Sequence, residues 1–210
     1  SASLQSDAAL RRLLPLLHTL LRRASYLALL DEQPAALQRL VEALARSALL
    51  AERLAAHPLL LDELLDERLF ETTPTRAEFE LDLRARMAGA GADDPERQVD
   101  LLREFQRAAV FRVAVPDLTG RLPLMKVSDR LTDIAEMIVA EALSLSWDPV
   151  VARHGMPRCG PDEANLQDAG LIVVAYGKFG GIELGYGSDL DLVFLHDSSG
   201  DVQRTAGPHV

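Results

Sequence analysis

The stretch LIVVAYGKFGGIELGYGSDLDLVFLH, residues 171–196, decides how the carboxyl-terminal part of this chain folds. Residues 171–176 are apolar, rich in β-branched side chains and without a helical period, which predicts a buried strand. A glycine-rich loop follows, and then two aspartates lead into a second apolar run. We therefore predict a strand, a loop and a second strand, with the strands near residues 171–176 and 190–195.

The second strand carries two carboxylates, Asp189 and Asp191, one residue apart. Side chains alternate between the two faces of a strand, so this spacing predicts that both carboxylates lie on one face. Two neighbouring carboxylates repel each other and favour a divalent cation between them, and oxygen ligands suit Mg²⁺ or Mn²⁺. Such a metal site serves phosphoryl and nucleotidyl transfer, in which metal ions bridge phosphate oxygens.

The loop before these aspartates indicates phosphate binding. Glycine lets the backbone approach phosphate oxygens closely, because no side chain is in the way, and Lys178 adds a positive charge. The loop is neither a Walker A sequence nor a dinucleotide-binding fingerprint, since G-x-x-x-x-G-K-[ST] is absent and a strand follows the glycines. A glycine-rich hairpin whose acidic residues are merely solvated is an alternative interpretation of the same pattern.

Composition limits the classes of partner that this chain is expected to have. The 210 residues carry a formal net charge of −10, which argues against a general nucleic-acid-binding protein. No apolar run is long enough to span a bilayer, so we expect no membrane partner. Cys159 is the only cysteine, which excludes an internal disulfide and is compatible with a reducing cytoplasm.

Residues 7–155 are predicted to be helical, because leucines and other apolar residues recur there at three- and four-residue spacing. Pro34, Pro58 and Pro95 each suit the first turn of a helix, and residues 88–94 read as a loop. A long helix follows Pro123, with an apolar stripe of Val127, Leu131, Ile134, Ile138, Ala142 and Leu145.

The predicted fold is mainly α: a helical bundle region followed by the first strands of an α/β domain. We interpret residues 156–170 as a polar linker and residues 197–210 as disordered or as the exit of a hairpin.

The order of an apolar strand, Gly177-Lys178, ten residues and then Asp-hydrophobic-Asp-hydrophobic resembles a known signature. It is that of the nucleotidyltransferase superfamily typified by DNA polymerase beta, although Gly177-Lys178 stands where the superfamily has Gly-Gly or Gly-Ser. The sequence GKFGGIELGYGSDLDLVFLHD is similar to the loop of glutamine synthetase adenylyltransferases, which reads G-K-L-G-G-x-E-L and continues into S-D-[LI]-D-L-[IV]-F. LPLMKVSDRLTDIAEMIVAEAL (residues 122–143) and LAAHPLLLDELLD (residues 54–66) also resemble helical regions upstream of that loop in this family.

This resemblance implies Mg²⁺-dependent transfer of AMP from ATP to a tyrosine of glutamine synthetase, a cytoplasmic reaction that regulates nitrogen assimilation. It further implies the PII nitrogen-signalling protein as a partner. Asp189 and Asp191 would be the catalytic and metal-binding residues. The implied nucleotide-binding residues are Gly177, Lys178, Gly180, Gly181 and Ser188.

Enzymes of this family have an amino-terminal half that removes AMP and a carboxyl-terminal half that adds it. The adding half reads G-Y-x-S-D-L-D-L with V-M-K-V-S-D upstream, and residues 185–191 and 125–129 fit that description. Residues 1–120 would then be a helical linker or regulatory region, and residues 121–210 the long helix with an incomplete nucleotidyltransferase domain. The adenylyl-removing half, and a helical partner-binding module without activity of its own, are the alternatives.

The resemblance also implies a third metal-binding carboxylate, which the family carries in a later V-D-x-R-L-R-P-type segment. This sequence contains no such segment, and Asp197 and Asp201 follow the second strand too closely to take its place. On this basis we expect the catalytic sheet to be truncated here and the 210 residues alone to be inactive in AMP transfer.

Overall fold

The computed structural model describes residues 2–21, 24–70, 72–91 and 94–207, and over these the predicted mainly helical fold is confirmed. The α-helices are α1 (Ala2–Leu20), α2 (Ala24–Glu32), α3 (Pro34–Arg46), α4 (Ala48–Ala56), α5 (Arg76–Met87), α6 (Pro95–Leu118), α7 (Leu124–His154) and the short α8 (Gly177–Gly180). Two 3₁₀ segments, Pro58–Leu65 and Glu67–Phe70, lie between α4 and α5. The predicted loop at residues 88–94 includes residues 92 and 93, which lie outside the described residues.

Prolines, as the sequence predicts, and polar caps determine where several helices begin. Pro34 and Pro95 occupy the first turns of α3 and α6, where a missing backbone N–H costs nothing. The Ser47 hydroxyl accepts a hydrogen bond from the Leu50 N–H at 3.3 Å, which ends α3 and starts α4. Pro116 lies inside α6, which continues to Leu118.

The start of α5 gives a testable stability contribution. Thr75 accepts a hydrogen bond from the Glu78 N–H at 3.4 Å, and the Glu78 carboxylate accepts one from the Thr75 N–H at 2.7 Å. Because this capping box satisfies two backbone donors, we expect Thr75→Ala to lower the free energy of unfolding by about 1 kcal/mol. Urea denaturation of the chain measures the change. Thr72→Ala, at an exposed position outside any helix, is the matched control, and equal effects of both substitutions would contradict the prediction.

Two clusters of buried side chains form the core, and α6 lies between them. The first cluster joins α1, α3, α4 and the 3₁₀ segments to Ala108, Phe111, Ala114 and Val115 of α6. The second joins α5 and α7 to other α6 residues, namely Leu102, Phe105, Ala109 and Val113. Since α6 is buried on both sides, it fixes the position of one cluster relative to the other.

The apolar stripe of α7 is buried only in part. Val127, Leu131 and Ile134 are buried in the second cluster, whereas Ile138 and Leu145 are partly buried and Ala142 is exposed. An apolar stripe of this kind is expected to face inward, and its first half does so, whereas its second half does so only in part. There the stripe borders an open groove of about 410 Å³ between α6, α7 and residues 184–190.

The two predicted strands are confirmed as β3 (Leu171–Tyr176) and β4 (Asp191–His196), which pair in antiparallel orientation. The prediction that residues 171–176 form a buried strand is wrong, because Ile172 and Tyr176 are exposed and the other four residues are only partly buried in this two-stranded sheet.

Residues 156–170, predicted to be a polar linker, contain two strands, and residues 197–207, predicted to be disordered or the exit of a hairpin, contain a third, so disorder is wrong for this part. Short strands β1 (Arg158–Gly160), β2 (Gln167–Asp168) and β5 (Val202–Arg204) form an antiparallel sheet in the order β2-β1-β5. These strands lie outside both core clusters, so they carry no alternating apolar pattern that sequence reading could detect.

No helix within the described ranges combines the length and the apolarity that crossing a membrane requires.

Candidate nucleotide site

The β3–β4 hairpin returns the second aspartate to the start of the glycine-rich loop. Tyr176, the last residue of β3, pairs with Asp191, the first residue of β4. The Asp191 carboxylate lies against Gly177 so closely that a Cβ atom on Gly177 would be 2.3 Å from Asp191 Oδ2. Gly177 has a φ of +56°, which favours glycine. The structure therefore brings together the first loop glycine and one of the two predicted metal ligands.

Asp189 does not lie on the strand. It occupies the irregular stretch before β4, so the prediction that both aspartates point from one face of a strand is wrong for this residue. The physical reason is the length of β3: pairing ends at Tyr176 and Asp191, and no partner backbone remains beside Asp189. Both aspartates are exposed, and neither carboxylate makes a hydrogen bond or an ion pair with another described residue.

The loop glycines at 180 and 181 make the close turn after β3 possible. A Cβ atom on Gly180 would lie 2.5 Å from the Ala175 carbonyl oxygen, and one on Gly181 would lie 3.3 Å from the Gly177 carbonyl oxygen. The Gly181 N–H donates to the Gly177 carbonyl at 3.0 Å. The fold of the loop itself therefore requires glycine at position 180, whereas a side chain at position 181 would need only a small shift of its neighbour.

Lys178 projects from the loop without an ion-pair partner among the described residues, whereas Ser188 forms part of a turn. Lys178 is exposed on α8 and has no ion pair with the residues that the structure describes. Ser188 closes a turn, because its hydroxyl accepts a hydrogen bond from the Gly185 N–H at 3.0 Å and its own N–H donates to the Gly185 carbonyl at 3.1 Å. The Ser188 hydroxyl proton stays available for another acceptor.

Three loop residues that sequence reasoning did not select fasten the loop to the helices. Phe179 and Leu184 are buried in the second core cluster. The Tyr186 hydroxyl donates to Asp117 Oδ2 at 2.6 Å. Burial and, secondarily, the Asp117 carboxylate raise the pKa of Tyr186 above its usual range, so the phenol stays protonated. The sequence feature that could have identified these three residues is their large apolar or aromatic side chains within an otherwise glycine-rich, polar loop.

The chemistry of the two aspartates fits a magnesium ion. Both carboxylates are exposed and lack protein partners in the described part of the chain. Mg²⁺ is commonly held by one or two carboxylates and keeps its remaining positions for water and substrate phosphates. In the described ranges no three or more His, Cys, Asp or Glu side chains come together as a possible metal site.

Comparison with known proteins gives a consistent family relationship. Residues 37–209 match the family model for glutamate-ammonia ligase adenylyltransferase. A Pseudomonas putida protein named bifunctional glutamine synthetase adenylyltransferase/adenylyl-removing enzyme is 49% identical over 197 residues, which are 94% of this chain and 20% of that protein. A Pseudomonas aeruginosa protein of the same name is 44% identical over 212 residues, covering 98% and 21%. The chain thus spans about a fifth of the length of the curated relatives that it matches.

Proposed function

Since this chain belongs to the glutamate-ammonia ligase adenylyltransferase family, we propose that its strand-loop-strand segment serves transfer of AMP from ATP to a tyrosine of glutamine synthetase. The observation that carries this proposal is the Asp191 carboxylate, which lies directly against Gly177 at the mouth of the glycine-rich loop and has no side-chain partner in the described part of the chain. A nucleotide whose phosphates meet the loop backbone would thereby meet a carboxylate that can share a metal ion with them.

Each of the predicted residues has a role in this proposal. Asp189 and Asp191 would hold Mg²⁺, which, when bound, neutralises charge on the triphosphate and polarises it. The backbone of Gly177, Gly180 and Gly181 approaches the phosphate oxygens. Lys178 contributes a positive charge and Ser188 a hydroxyl donor. These five residues are the nucleotide-binding residues that the family resemblance implies.

The proposed reaction balances without an oxidant or a covalent enzyme intermediate. The tyrosine oxygen of the protein substrate forms a bond to the α-phosphorus of ATP. The bond between that phosphorus and the oxygen bridging to the β-phosphorus breaks, and pyrophosphate leaves while the tyrosine hydroxyl releases its proton. The work left to this chain is to orient the triphosphate and to balance its charge.

We assign the segment to the adding activity rather than the removing activity. Support comes from residues 185–191, GYGSDLD, and residues 125–129, MKVSD, which fit the pattern of the adding half. The relatives are named for both activities, so the removing activity is the second candidate. The PII protein as a partner and the cytoplasm as location stay predictions that rest on the family resemblance.

The proposal is tested with the full-length enzyme, meaning a protein that contains this sequence and has the full length of the relatives. It is incubated with Mg²⁺, glutamine synthetase and ATP labelled with ³²P at either the α- or the γ-position. We expect label on glutamine synthetase from α-labelled ATP only. Transfer from γ-labelled ATP would indicate a kinase, and no transfer from either would contradict the proposed function.

A further inference from the structure

Within the described ranges, one polar contact attaches the loop of residues 177–190 to the helical region. Its backbone hydrogen bonds, such as Glu183 N–H to the Lys178 carbonyl at 2.8 Å, lie within the loop itself. The hydrogen bond from Tyr186 to Asp117 is the only side-chain hydrogen bond between this loop and the helices among the described residues. Tyr186 precedes Asp189 by three positions, so its position limits where that aspartate can lie.

Asp117 is a fixed acceptor, because the end of α6 around it is held by several bonds. The Thr119 hydroxyl donates to the Val115 carbonyl at 2.7 Å within this last turn. The Arg46 guanidinium, from α3, donates to the Thr119 carbonyl at 3.1 Å. A loop residue that bonds to Asp117 is therefore bonded to a part of the fold that both core clusters hold in place.

The Tyr186 side chain is suited to this anchoring role. Its ring packs against residues of both core clusters, and its hydroxyl is directed to the Asp117 carboxylate. The raised pKa of Tyr186, caused by burial and then by Asp117, keeps the phenol a hydrogen-bond donor at physiological pH. Removing the hydroxyl alone would keep the ring packing and would leave the partly buried carboxylate without this donor.

We propose that Tyr186 and Asp117 are positioning residues for AMP transfer, which fix the loop on α6 so that Asp189 is presented to the nucleotide beside Asp191. The inference rests on the proposed function. Glycine-rich backbone has many accessible conformations, so an anchor close to the aspartates selects the one that is competent for transfer. The two residues act through the loop and do not contact the substrate themselves.

The test compares Tyr186→Phe with Tyr26→Phe in the full-length enzyme. Tyr26 is a matched control, because its hydroxyl donates to Asp62 Oδ2 at 3.4 Å within the helical region. We expect Tyr186→Phe to lower kcat/KM for Mg²⁺–ATP by about tenfold to a hundredfold, as misplacement of reacting groups does. The KM for glutamine synthetase should stay unchanged, and Tyr26→Phe should behave as the unsubstituted enzyme.

Substitution of the acceptor separates positioning from a general effect on folding. Asp117→Asn keeps an acceptor oxygen and should retain most of the activity, whereas Asp117→Leu should match Tyr186→Phe. The double variant Tyr186→Phe/Asp117→Leu should be no worse than either single variant, because both remove the same interaction. Circular dichroism and the melting midpoint verify that each variant is folded.

The possible outcomes distinguish failure of the positioning role of Tyr186 and Asp117 from failure of the proposed function. Normal kcat/KM for ATP in Tyr186→Phe, or equal losses in Tyr186→Phe and Tyr26→Phe, would overturn the positioning role while leaving the proposed function intact. A loss confined to AMP removal would likewise overturn the role in AMP transfer, and it would also contradict the assignment of the segment to the adding activity. Absence of AMP transfer by the unsubstituted enzyme would overturn the proposed function and this role together.

Discussion

Asp189→Asn and Asp191→Asn are each expected to reduce AMP transfer by the full-length enzyme about a thousandfold, which corresponds to about 4 kcal/mol of transition-state stabilisation. The amide keeps the size of the side chain and removes the charge that would hold the metal ion. Both carboxylates are exposed and unpaired among the described residues, so folding does not depend on their charge. Transfer of α-labelled AMP at saturating Mg²⁺–ATP measures the loss.

Asp201→Asn is the matched control for these substitutions. Asp201 is an exposed aspartate just before β5, and it has no hydrogen bond or ion pair with described residues. It should leave both the transfer rate and the melting midpoint unchanged. If Asp189→Asn or Asp191→Asn transferred AMP at the normal rate, the assignment of that residue to the metal would be wrong.

Gly177→Ala is expected to cause the second-largest loss, about a hundredfold in AMP transfer, together with a lower melting midpoint. The φ of +56° places alanine in the left-handed region, at a cost of roughly 1–2 kcal/mol. The new Cβ atom would also lie 2.3 Å from Asp191 Oδ2, so the carboxylate or the loop must move. Both effects displace a proposed metal ligand from the mouth of the loop.

Gly187→Ala is the control within the same loop. Nothing lies within 4 Å of a Cβ atom at Gly187, and its φ is not in the left-handed region. Its substitution should therefore change neither the transfer rate nor the melting midpoint appreciably. Equal effects of Gly177→Ala and Gly187→Ala would show that the contact between Gly177 and Asp191 does not matter for transfer.

The sequence predicts the elements whose signals are local. The strands predicted near residues 171–176 and 190–195 are found as β3 and β4, because β-branched and aromatic residues favour extended backbone. Pro95 marks the start of α6, since proline fixes a backbone geometry that suits the first turn. The order of strand, loop and acidic strand also indicates which chemistry this region serves.

Features that depend on distant parts of the chain could not be predicted in this way. The face on which Asp189 lies depends on where β3 stops pairing, and alternation along one strand does not contain that information. The contact of Tyr186 with Asp117 joins residues 69 positions apart. The small β2-β1-β5 sheet is polar and lies outside the core clusters, so no hydrophobic pattern marks it.

The most direct test of the central claim measures both activities of the full-length enzyme that carries Asp189→Asn and Asp191→Asn together. Addition is followed with α-labelled ATP and unmodified glutamine synthetase, and removal with glutamine synthetase that already carries labelled AMP. We predict that addition is abolished and that removal continues near the rate of the unsubstituted enzyme. Continued addition would contradict the assignment of these carboxylates to AMP transfer, and selective loss of removal would show that the segment serves the opposite activity.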